Sequence, residues 1–232
     1  PGCDQIIIID KDKEKKTNAK ITFYNSDGGE TGACGNGSRC ISYFLMNEKK
    51  LNKSKINTES GVLKAKLTGK TEVSVDMGIP NFEWKKIPLV KKMNHAKVKI
   101  KTKHFGILTG YTLSVGNPHV IFFKDITFEL LKKIGPQIEH HEFFPERCNV
   151  TFAEVMNKKN IAVKVWERGA GLTLACGTAA CATAVAANKL SLTGKKVNIH
   201  FKNGTLHIEL AKDKHIIMTG SVSSIKNISL KI

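Results

Sequence analysis

Arginine is scarce in this chain. Of 37 basic residues, three are Arg (Arg39, Arg147 and Arg168) and 34 are Lys. Acidic residues number only 20, so the formal net charge is +17, and aromatics make up 7%. A run of about 18 apolar residues is missing, which excludes a helix spanning a bilayer. Also missing are nucleic-acid-binding motifs and interleaved aromatics for stacking on bases. The Lys residues are spread along the chain, and Ile and Asn are abundant, as an AT-rich genome would produce. The basic charge therefore reads as a solvated surface. Nucleic acid is not expected as a partner, although salt-sensitive attraction for anions is.

Six cysteines occur, Cys3, Cys34, Cys40, Cys148, Cys176 and Cys181. None has the C-x2-C spacing of a zinc site, and His140-His141 lies outside any H-E-x-x-H, so no metal is expected. The start, Pro1-Gly2-Cys3, has no basic n-region and no initiator Met. It does not read as a signal peptide, and it is compatible with a start inside a longer gene product. Without secretory features a disulfide framework is not expected, and free thiols in a reducing cytoplasm fit best.

What the chain does have is a repeat. Gly29-Glu30-Thr31-Gly32-Ala33-Cys34-Gly35 and Gly171-Leu172-Thr173-Leu174-Ala175-Cys176-Gly177 share the pattern G-x-T-x-A-C-G. Each copy runs into a helix-like stretch, over about 37–48 and 179–190, the second very rich in Ala. Alternating apolar patterns predict strands over 5–10, 20–25, 62–67, 71–77, 109–115, 119–123, 149–156, 161–167, 197–201, 205–210 and 215–220. A short helix is predicted over 128–134, and 85–103 has the weakest pattern. The expected fold is α+β, with two pseudosymmetric lobes, each a curved, mainly antiparallel sheet wrapped around a central helix. Residues 1–77 with 222–232 are expected to form the N-terminal lobe, and 78–221 the C-terminal lobe.

A Cys just before a helix meets unpaired backbone N–H groups and the positive end of the macrodipole. That placement is expected to lower the thiol pKa and supply thiolate near pH 7. The following Gly admits close approach of a ligand, so both segments double as anion cradles. Two such thiols facing each other suit inversion at an amino-acid α-carbon. One removes the proton, the other returns one from the opposite face, and the carboxylate is held among fixed donors. A pyridoxal cofactor would be the usual alternative; nothing nominates a Schiff-base Lys, and no cofactor is expected. One such Cys alone would read as a buried structural residue at a turn.

At this point the sequence resembles the diaminopimelate epimerase family over nearly its whole length. The matching stretches are Gly2-Cys3-Asp4-Gln5, Tyr24-Asn25-Ser26-Asp27-Gly28, Ala33-Cys34-Gly35-Asn36-Gly37-Ser38-Arg39-Cys40, Val115-Gly116-Asn117-Pro118-His119, Phe144-Pro145-Glu146-Arg147-Cys148-Asn149, Trp166-Glu167-Arg168-Gly169-Ala170-Gly171 and Ala175-Cys176-Gly177-Thr178. The resemblance implies a cofactor-independent, cytoplasmic epimerase that interconverts LL- and meso-diaminopimelate for lysine and peptidoglycan precursors. It implies Cys34 as proton donor and Cys176 as acceptor, with roles exchanged in reverse. Gly35, Asn36, Gly177 and Thr178 would bind substrate through helix N-terminal groups. Gln5, Asn25, Asn117, Asn149, Glu167 and Arg168 would complete the pocket, with Arg168 suited to a distal carboxylate. His119 and Glu167 would tune the thiols. The expected partners are the small-molecule substrate diaminopimelate and a second copy in a homodimer, with no membrane.

Three departures stand out. The family's further N-terminal strand and helix, with its G-x-G-N-D-F segment, has no counterpart here. Its C-G-S-G-A reads Cys176-Gly177-Thr178-Ala179-Ala180, which keeps the hydroxyl. The Glu often found after G-A-G is Leu172. The nearest alternative is a two-thiol racemase of the proline or hydroxyproline type. Those carry C-G-H-G at the first Cys, where this chain has Cys34-Gly35-Asn36-Gly37. A basic nucleic-acid-binding protein with inert thiols is the alternative from another class.

Overall fold

The computed structural model describes residues 5–14, 16–25, 28–31, 34–223 and 225–226. The chain folds as α+β, with three helices and fifteen strands among the described residues. The strands are β1 (Gln5–Asp10), β2 (Ala19–Asn25), β3 (Glu30–Thr31), β4 (Lys53–Thr58), β5 (Gly61–Leu67), β6 (Glu72–Asp76), β7 (Val98–Thr102), β8 (Gly106–Ser114), β9 (Pro118–Phe122), β10 (Asn149–Asn157), β11 (Asn160–Glu167), β12 (Gly171–Thr173), β13 (Lys196–Phe201), β14 (Gly204–Leu210) and β15 (Ile216–Ser221). The helices are α1 (Gly35–Glu48), α2 (Phe128–Glu139) and α3 (Gly177–Lys189).

The pairing order is β1-β2-β4-β5-β6-β15-β14-β13-β11-β10-β9-β8-β7, with β3 on β2 and β12 on β11. This order contains a repeat of topology. β1 and β2 form an antiparallel pair, β3 adds to β2, α1 crosses over to a parallel β4, and β5 and β6 follow antiparallel. β10, β11, β12, α3, β13, β14 and β15 do the same. The two units meet where β6 pairs antiparallel with β15, Val75 opposite Met218. β7, β8, β9 and α2 come between the units in sequence, and in the sheet they extend it beyond β10 through the parallel pair β9–β10.

Burial follows the strand period of two. In β6, Val73 and Val75 are fully buried between half-exposed neighbours. α3 is buried from Gly177 through Ala187, and its side chains are mostly Ala. Small side chains let the strands of the second unit close around it. α1 is longer-chained and more polar, burying Leu45 and Met46 under β4, β5 and β6. A second core gathers under α2, with Leu131, Ile134 and Ile138 against Phe122, Val150 and Phe152.

Besides the short strands β3 and β12, the structure adds to the sequence expectation in three places. Lys53–Thr58 forms β4, although Ile56 is its one large apolar residue; Ser54 and Thr58 share its buried face. Val98–Thr102 forms β7 inside the Lys-rich stretch, with Val98 and Ile100 inward and Lys99 and Lys101 outward. α2 continues past 134 to Glu139. Gly135-Pro136 reads as a helix breaker but serves packing: a Cβ on Gly135 would stand 2.6 Å from the Trp166 ring. Of residues 222–232, expected to return to the N-terminal lobe, all but 222, 223, 225 and 226 lie outside the described residues.

Candidate active site

The two Cys motifs end as the N-caps of α1 and α3. Cys34 has φ −137° and ψ 105°, and Cys176 has φ −139° and ψ 112°. This extended backbone is what an N-cap requires. The next residue in each motif is Gly, and the two glycines touch. A Cβ on Gly35 would stand 2.9 Å from the Gly177 Cα, and one on Gly177 would stand 2.8 Å from the Gly35 Cα. Met218, on β15, lies beneath both. The pseudosymmetry axis thus passes where two helix N-termini meet, and the two cap thiols flank it.

A cavity of about 510 Å³ opens over this junction. It brings together Gln5, Cys34, Gly35, Asn36, Asn117, Asn149, Glu167, Arg168, Cys176, Gly177 and Thr178. Asn25 ends β2, and its side chain lies outside the described residues. His119 is absent from the lining. It is fully buried behind it, with Nε2 2.8 Å from Asn117 Oδ1. Asn117 Nδ2 donates to Thr178 Oγ1 (3.3 Å), and Thr178 Oγ1 lies 3.4 Å from Cys176 Sγ. His119 therefore reaches the thiol only through Asn117 and Thr178. Asn149 donates to Pro118 O (2.9 Å) and accepts from the Arg168 N–H (3.0 Å), tying β9 to the segment after β11.

Cys34 Sγ donates to Gln5 Oε1 (2.7 Å) and accepts from the Gly37 N–H (3.2 Å). The lowered thiol pKa expected from the helix N-termini is overturned. Burial pushes Cys34 up to about 11, against the Gly37 N–H that lowers it, and Glu167 pushes it further. Cys176 also lies well above the ordinary thiol value. Burial is the main cause and the Glu167 charge the next, opposed by Thr178. Desolvation of the thiolate outweighs the helix-end donors. Burial likewise lowers His119 to about 3, so its imidazole is neutral. Two buried cysteines, Cys148 and Cys181, are raised by burial as well.

Sequence reasoning missed part of the wall: Ala170 and Leu172–Ala175, around β12, close one side of the cavity. It also missed Glu139. This carboxylate, 3% exposed at the end of α2, accepts from Trp166 Nε1 (2.7 Å) and from the Gly169 N–H (2.9 Å). It pins both ends of the tetrapeptide that carries Glu167 and Arg168. An acidic residue at a helix C-terminus, against the dipole, was the one available signal.

The diaminopimelate epimerase family profile matches residues 1–83 and 111–225. The diaminopimelate epimerase of Pelagibacter ubique (strain HTCC1062) is 50% identical over 238 residues, covering 100% of this chain and 85% of that protein. That of Caulobacter vibrioides (strain NA1000 / CB15N) is 42% identical over 228 residues, covering 96% and 79%. Among solved structures, a probable proline racemase from Agrobacterium radiobacter K84 with bound carbonate has a TM-score of 0.71 at 14% identity, covering 98% of this chain and 76% of that one. A hydroxyproline epimerase from Agrobacterium vitis with bound trans-4-OH-L-proline has a TM-score of 0.69 at 14% identity, covering 94% and 72%. At such identity the solved structures share the fold.

Proposed function

We propose, from the premise that this chain belongs to the diaminopimelate epimerase family, that Cys34 and Cys176 are its two proton-transfer groups. The enzyme is a cofactor-independent amino-acid epimerase interconverting LL- and meso-diaminopimelate. One observation carries the residue assignment: two N-cap thiols with matching backbone flank a junction where Gly35 and Gly177 touch, at the floor of one cavity.

The α-carboxylate sits over that junction, where the first N–H groups of α1 and α3 converge. Their fixed dipoles stabilise the charge that spreads onto the carboxylate when the α-carbon loses its proton. The thiolate of one Cys takes the α-proton and becomes a thiol. The opposite thiol then delivers its own proton to the other face and becomes a thiolate. The substrate is inverted with no net proton change, and the two thiols have exchanged states. The Cys34 S–H donates to Gln5 Oε1, which requires the protonated form. Thr178 faces Cys176 with a hydroxyl that can donate to a thiolate. We assign Cys34 as donor and Cys176 as acceptor as the family resemblance implies, with the roles reversed in the other direction; in the free protein the Glu167 side chain, hydrogen-bonded to Cys176, holds that thiol up as well.

Asn117, Asn149, Glu167 and Arg168 give the cavity a polar wall. Arg168 Nη1 donates to Glu146 O (3.2 Å), which holds the guanidinium in place for a distal carboxylate. A second charged head on the substrate suits this wall better than a prolyl ring. Glu167 and His119 tune the thiols, Glu167 through its charge and His119 through Asn117 and Thr178. Gln5, Asn25, Asn36 and Thr178 complete substrate binding.

We assign the two lobes to 1–77 with 222–232 and to 78–221; the meeting of the repeated units at β6 and β15 supports this division. We place the enzyme in the cytoplasm, since Cys34, Cys40, Cys148, Cys176 and Cys181 are all free thiols. We also infer a homodimer: Ile6 and Ile8 are exposed on one face of the edge strand β1 and offer apolar area to a second copy. Sedimentation velocity reads this directly, and a monomer at micromolar concentration would refute it.

The deciding experiment follows α-proton exchange from D2O into LL- and meso-diaminopimelate under reducing conditions, by mass spectrometry. Wild type should incorporate deuterium with inversion, and Cys34→Ala and Cys176→Ala should each abolish epimerisation. Epimerisation surviving in either variant would refute the two-thiol assignment.

A further inference from the structure

Arg39 is one of three arginines in a chain that otherwise uses Lys, and the site as described leaves it without a role. It lies in the second turn of α1 and is 7% exposed. Nη1 donates to Asn36 Oδ1 (3.1 Å) and contacts Met218 Sδ (3.8 Å). Its Nε is buried with no hydrogen-bond partner among the described residues. None of the ion pairs among the described residues includes it. A buried guanidinium ordinarily has a carboxylate against it, because desolvating an unpaired charge is costly.

The charge lies close behind the junction of the two Cys helices. Met218 Sδ is 3.0 Å from where a Cβ on Gly177 would stand, and Met218 Cε is 3.1 Å from its counterpart on Gly35. On the other side, a Cβ on Gly220 would stand 3.3 Å from Arg39 Nε and Cζ. One thioether therefore separates the guanidinium from the two helix N-termini. Asn36, which Arg39 holds, donates from Nδ2 to Ala175 O (3.3 Å) in the other repeat unit. The side chain so reaches both halves of the carboxylate cradle.

We propose that Arg39 is a positioning residue whose missing counter-ion is the substrate's α-carboxylate: it clasps Asn36 across the junction and sets a fixed positive charge behind both helix N-termini. The inference rests on the reading of Cys34 and Cys176 as the proton-transfer pair. The charge acts most strongly when the α-proton has left and the carboxylate carries the extra electron density. In the free protein the same charge is a burden, because no carboxylate among the described residues pairs with it.

The test compares wild type, Arg39→Met and Arg39→Lys. It reads kcat and KM for α-proton exchange on both diaminopimelate isomers, and Tm with and without saturating diaminopimelate. Arg39→Met keeps the apolar stem and removes the charge. Without substrate its Tm should equal or exceed that of wild type. Its kcat should fall about tenfold or more, below the ~10²–10³-fold cost of removing a donor in direct contact. It should also lose most of the substrate-induced rise in Tm. Arg39→Lys keeps a charge but loses the Nη1 bond to Asn36, and its kcat should fall between the two.

Arg39→Met with a lowered Tm but wild-type kcat and KM would mean a purely structural side chain, and would overturn the proposal. If Arg39→Met fails to fold, Arg39→Lys decides. Wild-type kcat and KM there overturn the clasp, and a fallen kcat with unchanged Tm supports it. A wild type that exchanges neither isomer overturns the functional reading and this one with it. A wild type that exchanges, with variants that match it, overturns only the role of Arg39.

Discussion

Replacing Gly177 with Ala is the sharpest perturbation the structure offers, because the added methyl meets backbone. Its Cβ would stand 2.8 Å from the Gly35 Cα, 3.2 Å from the Gly35 carbonyl carbon and 3.0 Å from Met218 Sδ. Carbon atoms pack at about 3.5–4.0 Å. Met218 can swing aside, but the Gly35 Cα moves only with α1. Relief therefore requires the two helix N-termini to part by roughly 0.7–1.2 Å at contact distances of that order. A misplacement of about 1 Å can cost on the order of 10²-fold in rate, and overpacking costs about 1–3 kcal/mol of stability. At this size each kcal/mol shifts Tm by about 2–4 °C.

The assay is deuterium exchange at saturating diaminopimelate, with Tm by calorimetry. Gly35→Ala meets the same junction from the other side, 2.9 Å from the Gly177 Cα, and should behave alike. The double variant should cost less than the sum, since one separation relieves both clashes. Gly194→Ala, whose Cβ meets open space, is the control. Wild-type exchange and Tm in Gly177→Ala would refute the reading of the Gly–Gly contact as what sets the spacing of the cradle.

Three more outcomes are expected. With Cys34 pushed up to about 11 and partly accessible, its alkylation by iodoacetamide without substrate should rise about tenfold per pH unit through pH 10, as thiolate fraction dictates; a plateau below pH 8.5, read by peptide mass spectrometry, would contradict this. Glu139→Gln leaves one acceptor where Trp166 Nε1 and the Gly169 N–H now have two; the loss should be about 1–3 kcal/mol with a raised KM for diaminopimelate, and an unchanged Tm and KM would remove Glu139 from the support of Arg168. His215 is raised by its 2.7 Å bond to Asp76, across the β6–β15 junction. A raised His pKa stabilises the fold fully below the unfolded value of about 6.5 and loses that effect as pH rises through the folded value. Asp76→Asn should therefore lower Tm more at pH 5.5 than at pH 8.5, and a gap independent of pH would count against the pair.

The repeat of G-x-T-x-A-C-G disclosed both N-caps, the helices that follow and the pairing of the thiols. It did so because capping and close glycine contact are local demands that leave a local mark. Strands with a clear apolar alternation, such as β6 and β11, were legible for the same reason. β4 and β7 were not, because their buried faces carry Ser54, Thr58 and Thr102 and their exposed faces carry Lys. The end of α2 was obscured because Gly135 answers to Trp166, which is distant in sequence. Glu139 and Arg39 belong to this class too: their roles depend on what tertiary packing sets beside them. His119 was placed near the thiols by resemblance; the structure seats it behind the cavity, beside Asn117, which donates to Thr178 next to Cys176.

The reversal of the thiol pKa values bears on the chemistry itself. A helix N-terminus lowers a thiol in water, yet here burial dominates at both thiols. A thiol lowered to 7 would supply abundant thiolate, but a weak base. The α-proton of an amino acid is very weakly acidic, and proton transfer improves as the base strengthens. Raised thiols supply that strength at the cost of a small thiolate fraction in the free enzyme. The same low-dielectric surroundings that raise them strengthen the helix-end dipoles acting on the carboxylate. The reaction also runs both ways, so neither thiol can be much the better base without stalling one direction. Burial of both, with Glu167 acting on both, raises the pair together.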